Sequence, residues 1–165
     1  MIKLKLILEN KPLPLNSSER IMYYNERKKN KIKIPQKYID DAKDKSLGII
    51  AGMNVFLVNG DFIRTYIDID YVEGGNPARY TYIPDKEIWI EKILSKIDLY
   101  STIVHEIIEY HLMIKGKSYD NSHDITNTYE FTFRHKVFNK EMNLKEVEKY
   151  ITMILNKKEI LKWLN

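Results

Sequence analysis

At 165 residues, 44% hydrophobic and 30% charged, the chain has the size and composition of one globular domain over 1–165. There are no cysteines, which excludes disulfides and thiolate metal sites and leaves His, Asp and Glu as the only strong metal ligands. The formal net charge of +4 is spread along the chain, and neither a signal-peptide core nor a membrane-length apolar run is present, so a cytoplasmic protein is expected.

In chain order, "IKLKLIL" (2–8) alternates as a strand does. Residues 17–47 are polar and interrupted by Pro35, where "PQKYIDDAKDK" predicts a short helix, since proline suits a first turn. The basic run "ERKKNKIKI" (26–34), with Arg27, Lys28, Lys29, Lys31 and Lys33, reads as a solvated segment, with a nucleic-acid patch as the weaker reading. "MNVFLV" (53–58), Asn59-Gly60 and "DFIRTYIDI" (61–69) together predict a β-hairpin. "GGNP" (74–77) is a turn, and "ARYTYI" (78–83) and "EIWIE" (87–91) around "PDK" predict a second hairpin. The expectation over 53–91 is therefore a small antiparallel sheet, with Trp89 used in packing.

From Asp98 the pattern turns helical. A first helix runs from Asp98 or Ser101 to Lys115, with Gly116 as its stop, and a second begins near Ser118. The short connection predicts an antiparallel helix pair over 98–138. A third helix over 143–165 follows Asn143, where Asn-Leu-Lys-Glu resembles a capping box. Strands first and helices afterwards make the fold class α+β.

The chemistry concentrates in "VHEIIEYH" (104–111), which is the H-E-x-x-H helix of zinc peptidases with Glu109 in place of the second histidine. At about 100° per residue, His105 and Glu109 share a face with Glu106 beside them, while His111 points elsewhere. On the second helix His123, Asn127, Glu130 and Arg134 form one polar stripe. Antiparallel packing would set His123 opposite His105 and Glu109. Imidazole nitrogen and carboxylate oxygen converging on one point is what a divalent ion requires. His105, Glu109 and His123 are the expected ligands, Glu130 either a fourth ligand or an orienting partner of His123, and Glu106 the base that accepts a proton from water. The plainer alternative is a helix interface laced with His–Glu hydrogen bonds and ion pairs. His111 and His135 lie off the stripes; Asp68 and Asp70, before "EGG", could also be drawn towards a site, but turn chemistry accounts for Gly74 and Gly75, and a functional Asp70 is the weaker reading.

"VNGDFIRTYIDIDYVEGG", "YIPDKEIWIE" and "HEIIEYHLMIKGKSYDNSHDITNTYE" resemble a group of small uncharacterised proteins from phages, archaea and archaeal viruses, over residues 53–134. The matching helix-pair positions are His105, Glu106, Glu109, Leu112, Met113, Gly116, Tyr119, His123 and Glu130, with Ser122 and Thr126 replacing smaller residues. The resemblance implies a zincin-like metallopeptidase acting on peptide or protein in a cell's cytoplasm, a host's if the chain is viral. Zinc is the first choice of metal, with manganese or iron as alternatives. A carboxylate in place of the second imidazole weakens the ion's power to acidify water, and a second one from Glu130 would favour a structural or oxygen-chemistry metal. The alternative function is a virus- or mobile-element-encoded binding module, for nucleic acid or protein, whose His/Glu site is structural or vestigial.

Overall fold

The computed structural model describes residues 17–29, 33–137 and 141–157. The strand expected at 2–8 and residues 158–165 of the expected last helix lie outside the described residues; that helix ends at Leu155, ahead of them. Six helices and four strands occur among them: α1 (Ser17–Lys29), α2 (Gln36–Ala42), β1 (Lys43–Ile50), β2 (Met53–Val58), α3 (Gly60–Tyr66), β3 (Gly74–Gly75), β4 (Glu87–Glu91), α4 (Lys96–Ile114), α5 (Tyr119–Val137) and α6 (Leu144–Leu155). The α+β class holds. No described helix is long and apolar enough to cross a membrane.

The sheet is mixed, not antiparallel as expected. Its order is β1-β2-β4-β3, with β1/β2 and β3/β4 antiparallel and β2/β4 parallel, Asn54 opposite Glu87. A parallel pair needs a long crossover, and the segment expected to be strand 61–69 supplies its helix, α3. The reason lies in Asn59-Gly60. Asn59 Oδ1 accepts the Phe62 amide at 3.1 Å, and Glu91 Oε1 accepts the Gly60 amide at 3.0 Å. Two acceptors on orphan amides start a helix where the dipeptide alone favours a hairpin.

"ARYTYI" is likewise not a strand. Asn76 Oδ1 accepts the amides of Ala78 and Arg79, both at 3.1 Å, and the chain turns back through Tyr80 and Ile83. The true antiparallel partner of β2 is β1, joined to it through Ala51 and Gly52, both at positive φ. Its sequence, "KDKSLGII", buries only Ile50 fully, so it carries little hydrophobic signal.

β4 divides the core. Ile88 and Ile90 join Ile103, Val104, Ile107 and Ile108 of α4, Phe133 of α5 and Val147, Ile151 and Ile154 of α6. Trp89 joins Ile39, Ala42, Ile63, Ile67 and Tyr71 on the side of α2 and α3. Successive strand residues point to opposite faces, and all three are 0% exposed. Burying side chains of this size contributes roughly 1.5–3 kcal/mol each, which pins β4 between the two helical layers.

The helical half follows its predicted signals closely. Ser95 caps α4 through the Asp98 amide, and Gly116 (φ +94°) ends it in a conformation open to glycine. Asn143 and Glu146 close a complete capping box on α6. Ser122 and Thr126 are 0% exposed, and these short side chains permit close packing of α5 on α4.

Candidate metal centre

The middle of α4 is buried around most of its circumference. Ile103, Val104, Ile107 and Ile108 are fully covered, and His105, Glu106 and Glu109 are buried with them. Polar groups in such a setting need partners, because desolvation without compensation is costly. α5 and the β3 turn provide them.

His105, Glu109 and His123 each turn one atom toward a common point. His105 Nε2 lies 3.1 Å from His123 Nδ1 and 3.4 Å from Glu109 Oε2, and His123 Nδ1 lies 3.1 Å from Glu109 Oε2. Ligands about 2.0–2.1 Å from a tetrahedral zinc stand about 3.3 Å from one another. The three donors thus have the spacing of one face of such a tetrahedron, and their chemistry, two imidazoles and a carboxylate, suits a divalent ion. This buried group could hold a metal ion.

Glu130 is placed differently from a ligand. Its Oε2 accepts from His105 Nδ1 at 2.8 Å, on the ring nitrogen that faces away from the other two donors, and its Oε1 accepts from Arg134 Nε at 3.0 Å. Arg134 in turn donates to Asp98 Oδ1 at 2.6 Å. The carboxylate sets the tautomer and angle of His105, not of His123 as the sequence suggested.

Glu106 lies beside the triad and is tied to it by Asn76. The two amide hydrogens of Asn76 go to Glu106 Oε2 and Glu109 Oε1, both at 2.9 Å. Above it runs β3: a Cβ on Gly74 would lie 2.7 Å from Glu106 Oε1 and 2.6 Å from Thr102 Cγ2. Glycine is required there by proximity alone. Neither Asn76 nor Gly74 was singled out from the sequence. The "GGNP" turn was visible, but its side-chain partners lie some thirty residues downstream.

Burial, and after it the charge of Glu109, pushes the Glu106 carboxyl up to about 7. Burial would also raise Glu109, but hydrogen bonds from His105, His123 and Asn76 outweigh it and hold that carboxyl below its ordinary value. Burial disfavours a charged His105, yet its bonds to Glu109 and Glu130 and the charge of Glu106 prevail and raise it to about 10. Two neighbouring carboxylates with opposite shifts make one a proton acceptor near neutrality and the other a permanent anion.

The group opens into a cleft of about 390 Å³, lined also by Glu73, Arg79, Tyr80, Tyr119 and Asn127. The remaining candidates stay apart. His111 Nδ1 bonds the Ile107 carbonyl at 2.7 Å and His135 packs on Phe131. Asp68 accepts the Asp70 amide in a turn and lines a different cleft. Comparison of the chain with protein families, curated proteins and solved structures found no match.

Proposed function

We propose that the protein is a metal-dependent hydrolase, a zincin-like metallopeptidase with a variant H-E-x-x-E helix. The observation that carries this reading is the triangle of His105 Nε2, Glu109 Oε2 and His123 Nδ1, with sides of 3.1–3.4 Å, beside a carboxylate poised near 7. His105, Glu109 and His123 would hold a divalent ion, zinc first and manganese or iron next, with Glu130 behind His105. When bound, such an ion supplies Lewis acidity toward a carbonyl and lowers the pKa of a water it ligates.

The chain's own residues do the rest. Glu106 would take the proton of the attacking water while the water oxygen bonds to the scissile carbonyl carbon and the C=O π pair moves onto the carbonyl oxygen. As the C–N bond breaks, the same carboxyl returns the proton to the departing amine. Asn76 keeps Glu106 and Glu109 apart and aimed. Elemental analysis of the purified protein, together with turnover of a peptide library, tests the reading. One ion per chain and loss of turnover with an intact fold in Glu106→Gln are expected. A folded protein that takes up no zinc, manganese, iron or cobalt defeats it.

A second reading draws on the internal satisfaction of the cluster. A protonated His105 between Glu109 and Glu130 forms a closed clasp without any ion, and Arg27, Lys28 and Lys33 line a separate cleft of about 570 Å³ with Tyr24 and Tyr82. That combination suits a module that binds a nucleic-acid strand, with rings for bases and cations for phosphates. Salt-sensitive binding of single-stranded RNA or DNA, and a melting temperature unmoved by chelator, separate it from the first.

A further inference from the structure

Resting on the metallopeptidase reading, the geometry points to Arg79 as an anion anchor: it takes the free α-carboxylate of a short peptide whose scissile carbonyl lies at the His105–Glu109–His123 group. The site would then trim peptides from the carboxyl end.

Four carboxylates line the cleft, from Glu73, Glu106, Glu109 and Glu130, and Arg79 is the only Lys or Arg that does so among the described residues. Apart from the proposed ion and the His105 ring, which Glu109 and Glu130 already engage, this guanidinium is the place in the cleft that attracts an anionic substrate group, and the carboxylates disfavour such a group beside them.

Arg79 is also held in place. Its guanidinium lies 4.4 Å from the centre of the Tyr119 ring and 5.5 Å from that of Tyr80. Tyr119 is stacked on His123, with centroids 5.5 Å apart and planes at 26°. A column therefore runs from a proposed ligand through a phenol to the guanidinium. The planar donors of an arginine match a carboxylate in a two-pronged bond, and a guanidinium seated over a ring is held ready for one. The backbone that carries Arg79 is fixed by Asn76, which accepts its amide at 3.1 Å while donating to Glu106 and Glu109. One buried side chain sets the distance between anchor and base.

The probe is a dipeptide-like hydroxamate with a free terminal carboxylate, compared with its carboxamide twin by titration calorimetry on the zinc-loaded protein. Hydrogen bonds between charged partners contribute about 1.5–3 kcal/mol, or about tenfold or more in affinity. The carboxylate twin is expected to bind at least about tenfold more tightly, a preference abolished in Arg79→Ala and partly kept in Arg79→Lys. Arg79 is exposed, so these variants should fold. Equal affinity of the twins, or a preference that survives Arg79→Ala, overturns the anchor and leaves the metal reading standing. Binding of neither twin overturns both.

Discussion

Asn76 and Glu106, thirty residues apart in sequence, meet through a 2.9 Å hydrogen bond in the interior, and the same amide reaches Glu109 at an equal distance. The bridge separates two acids that would otherwise repel across a dry space. Asn76→Ala removes both donors and the acceptor that shapes the turn, and a loss of about 2–4 kcal/mol in unfolding free energy is expected. Asn76→Asp, which places a third carboxylate in contact with the other two, should cost more. Urea denaturation of the three proteins gives the ranking; an Ala variant as stable as the parent would contradict it.

Gly74 allows the second prediction. Because a methyl group there meets Thr102 and Glu106 at under 3 Å, Gly74→Ala must push the Glu106 carboxylate aside or lift β3. Overpacking of this kind costs about 1–3 kcal/mol. Turnover should fall further than the lowered melting temperature explains, because the displaced group is the proposed base. Thermal melts and peptide turnover measured on one preparation make the comparison.

Metal uptake by the proposed centre should respond to Glu130 although that carboxylate stands behind His105 and outside the three converging donors. Loss of a carboxylate behind a ligating histidine costs about 10–100-fold in metal affinity, so Glu130→Gln should weaken zinc binding by that range. His105→Ala and His123→Ala should abolish stoichiometric binding. Free ion at about 100 times its dissociation constant should stabilise the parent by about 2.7 kcal/mol, a gain removed by chelator. Competition with a zinc-sensitive dye and melts with and without chelator measure both effects.

Away from the centre, Gly60 is the position least tolerant of a side chain. A Cβ there would fall 1.9 Å from Glu91 Oε2, and the Glu91 carboxylate also accepts from Arg64 at 2.7 Å. Gly60→Ala therefore disturbs a part-buried ion pair and the start of α3 together, with an expected loss of about 2–3 kcal/mol. Circular dichroism during guanidinium unfolding tests it.

The contrast between the two halves of the molecule explains what could be read from residues alone. The helix pair announced itself, although Ser95 caps α4 a little ahead of the expected start: the cap at Ser118, the stop at Gly116 and the faces of His105, Glu109 and His123 all depend on neighbours within a few positions. The β half did not. Whether Asn59-Gly60 begins a hairpin or a helix is decided by Glu91, and whether "ARYTYI" extends or turns is decided by the two hydrogen bonds of Asn76. β1 escaped notice because most of it faces solvent. Glu130 shows the same limit within the site, since periodicity assigns a face but not which ring nitrogen a carboxylate will meet.

The run of hydrogen bonds from Ser95 and Asp98 through Arg134 and Glu130 to His105 has a practical result. Its outer members stand where dissolved ions reach them, and its last member is a mostly buried ring at the wall of the cleft. Screening between exposed charges grows with ionic strength, so concentrated salt should loosen the grip on the imidazole by acting on Asp98 and Arg134, and the affinity for zinc expected of the proposed centre should decline as sodium chloride is raised.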